Sequence, residues 1–132
     1  MRISGYGTLF GVCTNQTHII GAGAFSNLIR DGWHPQMLLG HEGEECGKWI
    51  KIEEDDHGLF VVGDIDETTE RGRLAVRMVA DGDVGALSLG PKRAVQKPIA
   101  PGVSYIPVVL DLTELSLVTI PGCPGALIQC FA

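Results

Sequence analysis

The 132-residue chain predicts a mainly β, α+β fold: a single antiparallel sheet, curled into a barrel-like shape and flanked by two helices. Three observations carry this expectation. Eighteen glycines and seven prolines punctuate many short apolar segments, the mark of numerous brief strands. One stretch, "CGKWIKIEEDDHGLFVVGDI" (46–65), reads as a hairpin, two β-rich runs about an acidic turn at Glu54 to Gly58. Helical periodicity appears in only two places.

In chain order, "RISGYGTLFG" (2–11) reads as a first strand weakened by Gly5 and Gly7. "GAFSNLIRDG" (23–32) predicts a short helix with Phe25, Leu28 and Ile29 on one face and Gly32 as its stop. "MLLGH" (37–41) is a brief apolar strand that ends at a histidine, and the hairpin follows. "TTERGRLAVRMVADG" (68–82) predicts the second helix, with Leu74, Val76, Met78 and Val79 as its apolar face and Gly72 a weak point. "GALSLGPK" (85–92) reads as a buried strand with a hydroxyl, Ser88, at its centre. A Pro-rich connection, "KPIAPGVSYIP", leads to one long final strand, "VVLDLTELSLVTI" (108–120).

The length fits one domain, residues 1–132, that buries roughly two thirds of its unfolded surface. A core of that size stands without disulfides or metals. The net charge of −6, with scattered basic residues, argues against a nucleic-acid or anionic-membrane surface, both of which need clustered Lys and Arg. No apolar run approaches the ~20 residues of a membrane-spanning helix, and "MRISGYG" lacks a signal-peptide core. The cysteines at 13, 46, 123 and 130 form no CxxC pair and read as free thiols of an intracellular protein. The alternative is a metal-binding domain, with zinc held by these cysteines and a histidine.

Several familiar motifs fail. "GAGAFS" (21–26) lacks the third glycine and the βαβ setting of a dinucleotide loop. "HEGEE" (41–45) lacks the second histidine of a zincin, and Gly43 interrupts the helix it needs. "LSLG" is not a GxSxG elbow. What survives is a separated set. Ser88 is a hydroxyl in an apolar strand, where a polar group needs a partner. His41 closes a strand and should keep its ring accessible. Glu114 stands among leucines, where a carboxylate is costly unless paired. Strand alternation places Leu112, Glu114, Ser116 and Val118 on one face and Asp111 on the other, so only one of the two carboxylates can face His41. Position in the most apolar stretch favours Glu114. Serine, histidine and acid from three strands can act as nucleophile, base and orienter.

The order of these pieces resembles the prohead serine proteases of tailed bacteriophages, a family related in fold to the herpesvirus assemblins. The resemblance rests on "GYGTLFG" (5–11), "GAFSNL" (23–28), "LLGH" (38–41), "GLFVVG" (58–63), "ALSLG" (86–90) and "DLTELSLVTIP" (111–121). It implies an assemblin-like fold and an endopeptidase in which Ser88 is the nucleophile and His41 the general base. Assemblins use a second histidine as third member. The matching strand here has none, and Glu114 takes that place. The loop "TIPGCPG" (119–125) corresponds to the family's oxyanion-stabilising loop but lacks its arginines, leaving backbone N–H groups near Gly122 and Cys123.

The implied partners are the phage major capsid protein and its scaffold segment, together with self-association and self-cleavage, inside the assembling procapsid in the host cytoplasm. No cofactor is implied. The competing reading is a catalytically silent β-barrel assembly factor that binds scaffold peptides by strand addition.

Overall fold

Alternation of buried and half-exposed residues builds the strands. In β6 (Gly58–Ile65), Leu59, Val61 and Ile65 point inward while Phe60, Val62 and Asp64 are only partly covered, the period-2 signature of a sheet with one buried face. The structure, a computed structural model, describes the backbone of residues 1–131 and the side chains through Gln129. Its strands are β1 (Arg2–Leu9), β2 (Cys13–Thr14), β3 (His18–Ile20), β4 (Gln36–Leu39), β5 (Glu42–Glu54), β6, β7 (Ala86–Leu89), β8 (Lys92–Ala100), β9 (Val103–Leu112), β10 (Glu114–Val118) and β11 (Ile128–Phe131). Helices α1 (Ser26–Arg30) and α2 (Glu70–Ala80) complete it.

Seven strands form one sheet in the order β11-β1-β6-β5-β4-β10-β7. Its two edges meet: Leu87 N–H donates to Ala126 O at 2.8 Å and Ile128 N–H to Gly85 O at 3.0 Å, so the sheet is a nearly closed barrel. Within it only β4 and β10 run parallel. A second sheet, β2-β3-β9-β8, packs beside it. Phe25, Ile3, Met37, Leu59, Leu87, Ile106, Leu115 and Leu117 form the fully buried centre.

The mainly β, barrel-like fold with two helices agrees with the expectation from sequence, and the 46–65 hairpin is β5–β6. Two details differ. The Pro-rich connection is itself a hairpin, β8–β9, its exposed edge strand carrying Lys97 and Pro98, residues that suit an edge. The long final strand is broken at Thr113, so its two halves lie in different sheets and Leu112 does not share a strand face with Glu114. Donors remote in sequence, two indole N–H groups and one backbone N–H, hold the break. Trp33 Nε1 donates to Leu112 O at 2.7 Å, Gln36 N–H to Thr113 O at 2.8 Å, and Trp49 Nε1 to Leu115 O at 3.1 Å. Without those donors, backbone carbonyls freed by leaving one sheet would be buried unpaired. α1 is shorter than expected, five residues against ten, and α2 begins where Thr69 Oγ1 accepts from Gly72 N–H at 3.0 Å.

Candidate active site

His41 owes its position to a tight turn. Leu39 pairs with Glu42 across β4–β5, leaving Gly40 and His41 as a two-residue hairpin loop. Both have positive φ, 65° and 62°, as a type I′ turn requires. Glycine adopts that conformation freely; histidine does so at some cost. Gly40 N–H donates to Leu117 O at 2.9 Å, tying the turn to β10.

The register of β10 supplies the rest. Ser116 lies directly opposite Ser88 on the antiparallel neighbour β7, so the two hydroxyls share a face, and Glu114, two residues before Ser116, shares it too. Glu114 is buried, and its Oε1 accepts a hydrogen bond from Ser116 Oγ at 3.1 Å and meets Nδ1 of His41. The His41 side chain is 38% exposed, so the edge of the ring away from Glu114 opens to solvent. Burying this carboxylate is tolerable because both contacts land on it. Gly90 makes the space: its N–H donates to Glu114 O at 3.0 Å, and a Cβ there would stand 2.7 Å from Oε1 and 2.8 Å from Cδ of Glu114.

Asp111 lies elsewhere, exposed on β9 opposite Arg93. Ser88 is 8% exposed, and its hydroxyl makes one long hydrogen bond, 3.4 Å, to Leu89 O. It lines, with His41, a cleft of about 550 Å³ whose far wall is Asn15, Thr17, His18, Pro121 and Gly122. The structure thus brings Ser88, His41 and Glu114 to one site and leaves Asp111 outside it.

The wall carries further chemistry that motif reading did not single out. Asn15 and Gln16, at φ 51° and 61°, form a second left-handed turn closed by Thr17 N–H to Thr14 O at 3.0 Å. Together with His41 they are the non-glycine residues of positive φ among those described, and Asn15 and His41 both line the cleft; strain gathered at one place is a feature of functional sites. Lys92 also lines it, and burial pushes its ammonium below the usual lysine range. Burial, and then the charge of Lys92, push His18 down. Cys123 anchors the 119–125 loop, its thiol accepting from Leu9 N–H at 3.4 Å. The thiols of Cys13, Cys46 and Cys123 are free; Cys130 lies outside the described side chains. Among the described residues no three metal-ligating side chains cluster, so the zinc alternative gains no support.

A nearly closed, mainly β barrel with this cleft at its β7–β10 edge is a viral protease fold. The chain is similar to KSHV protease, solved in complex with a hexapeptide phosphonate inhibitor, at 14% identity and a TM-score of 0.60 over 96% of this chain and 63% of that one. It is similar to varicella-zoster virus protease at 15% identity and a TM-score of 0.63, over 97% of this chain and 62% of that one. It therefore spans about 62–63% of the length of these herpesvirus enzymes. No curated protein matches it by sequence. The family model of Caudovirus prohead serine protease matches residues 1–132, and the chain belongs to that family, a family of serine proteases.

Proposed function

We propose that the chain is a capsid-maturation endopeptidase, its protease domain spanning residues 1–132, with Ser88, His41 and Glu114 as catalytic triad. The observation that carries this reading is the buried carboxylate of Glu114 on Nδ1 of a histidine that shares a cleft with Ser88. Glu114 accepting the Nδ1 proton fixes the imidazole tautomer and leaves Nε2 free as base. The Ser88 hydroxyl, weakly held by Leu89 O, turns to Nε2 and attacks the scissile carbonyl as its proton passes to His41. The imidazolium, stabilised by Glu114, returns that proton to the leaving amine. Water then hydrolyses the acyl-enzyme by the same path.

The tetrahedral oxyanion needs donors already in place. The backbone N–H groups of Gly122 and Cys123 donate to no acceptor among the described residues, which suits them to that task. No metal or cofactor takes part. In the setting of a prohead protease the substrates are the major capsid protein's scaffold segment and the chain itself, cut inside the procapsid in the host cytoplasm.

Incubating the purified chain with the capsid precursor and mapping the new termini by mass spectrometry tests this. Cuts at the scaffold boundary that vanish with Ser88→Ala are expected. No cut, or cutting by folded Ser88→Ala, contradicts the proposal, and binding without cutting would favour a silent assembly factor.

A further inference from the structure

The His41 turn is gripped from behind by the second helix. Nη2 of Arg71 donates to Leu39 O at 2.9 Å and to Glu42 O at 3.2 Å, the two residues that bracket Gly40 and His41. One nitrogen therefore bridges both arms of the turn. The guanidinium also lies close to the backbone of Gly43, where a Cβ would stand 3.1 Å from Nε and 3.2 Å from Cζ. Gly43 is itself left-handed, φ 78°, so this approach needs glycine on two grounds.

Three features separate this arginine from an ordinary surface cation. It pairs with no carboxylate among the described residues. Its Nε is buried with no partner, a cost that a solvated arginine does not carry. It sits in the first turn of α2, one residue after Glu70, where the helix dipole disfavours positive charge. Its reach to the turn is what offsets these penalties, because charge-assisted bonds to carbonyls are the stronger kind.

We propose that Arg71 is a positioning residue for the reaction: by bridging the Leu39 and Glu42 carbonyls it holds the left-handed Gly40–His41 turn so that the imidazole meets Glu114 and faces the cleft. The inference rests on the catalytic role proposed for His41. The charged and titratable groups around that ring are Glu114 from β10, Lys92 and His18 from the cleft, and Arg71 behind the turn. Arg71 is not among the residues that line the cleft holding Ser88 and His41, so its influence on the reaction runs through the turn.

The test combines kinetics with a readout that needs no catalysis. The rate of fluorophosphonate labelling is measured for wild type, Arg71→Met, Glu114→Gln and the double variant. Displacing a reacting group by about 1 Å costs roughly 10²-fold, so Arg71→Met is expected to label about 10²-fold more slowly while keeping its circular dichroism. Because both substitutions act through one imidazole, Glu114→Gln should cost less than about tenfold in the Arg71→Met background. In parallel, the low-field Nδ1 proton resonance of His41 is followed by NMR in Ser88→Ala, and adding Arg71→Met should abolish it while the amide spectrum stays dispersed.

A retained resonance, or labelling within about twofold of wild type by folded Arg71→Met with an undiminished Glu114→Gln effect, overturns the inference. If Arg71→Met does not fold, Arg71→Lys keeps stem and charge, and the cycle is run with it. A loss of about three- to tenfold with a reduced Glu114→Gln effect is then expected, and no loss overturns the inference. A wild type that does not label indicts the proposed activity, whereas the NMR arm still reads the clamp.

Discussion

Gly90→Ala adds a single methyl group, yet it should disable the site. The backbone at Gly90 is not left-handed, so alanine meets no conformational penalty there and the effect is steric. The new Cβ would stand 2.8 Å from Cδ and 2.7 Å from Oε1 of Glu114, and closer still to Cγ. Ordinary carbon contacts begin near 3.5 Å, so the carboxyl group must retreat by about 0.7 Å at least. Glu114 is itself buried, with its Oε1 held by Ser116 Oγ and by Nδ1 of His41, so it has little room to retreat without changing rotamer. Overpacking of this kind costs about 1–3 kcal/mol of stability, which a domain of ordinary stability survives. The larger consequence falls on His41: a misplacement approaching 1 Å costs roughly 10²-fold. The fluorophosphonate labelling rate of Gly90→Ala should therefore drop by about that factor, with a cooperative unfolding transition retained. Adding Glu114→Gln to Gly90→Ala should then change little. A folded Gly90→Ala protein that labels at the wild-type rate, or that still loses its full share on Glu114→Gln, would show that Glu114 does not act through the position observed.

Glu114→Gln alone keeps the shape but not the charge, and should lower the labelling rate by roughly 10²- to 10⁴-fold; Asp111→Asn, exposed on β9, should stay within about twofold, and the reverse ranking would reassign the acid. Burial pushes the Cys46 thiol up to about 11, so the folded state holds its proton after the unfolded chain has released it. That contribution to stability is complete below the ordinary thiol range and lost as pH rises towards about 11. Urea midpoints of wild type should accordingly fall faster over that window than those of Cys46→Ala, and parallel curves would contradict the burial argument. EDTA should leave labelling unchanged; inhibition reversed by added zinc would contradict a metal-free mechanism.

What could be read from the sequence and what could not divide on physical grounds. Periodicity and turn residues are local, so the 46–65 hairpin, the second helix and the short strand before His41 could be read directly, although β4 ends at Leu39 and His41 lies in the turn that follows. The break at Thr113 could not, because the donors that stabilise it, Trp33, Gln36 and Trp49, are 64 to 80 residues away along the chain. A continuous strand through 108–120 was the natural local reading, and it placed Leu112 on the face of Glu114 although the two lie in different sheets. Glu114 itself was legible as a carboxylate among leucines that needed a partner. Its partner was a histidine 73 positions earlier, and only the parallel β4–β10 pairing brings them together. Local pattern singles out neither Gly90 nor Arg71. Gly90 and Arg71 each have their role in a close approach between distant segments, the kind of signal that a single sequence does not carry. For Arg71, a left-handed turn at His41 and an arginine 30 positions later offer no local pattern at all.

The central claim is that Ser88 is the nucleophile, and intact-mass analysis after reaction with a fluorophosphonate tests it most directly. The wild-type chain should gain one phosphonyl group, and peptide mapping should place it on Ser88 within "GALSLGPK". Folded Ser88→Ala should gain none, and His41→Ala should react far more slowly than wild type. An adduct on another residue, or a wild-type chain that remains unmodified while Ser88 stays accessible in the cleft, would contradict the account.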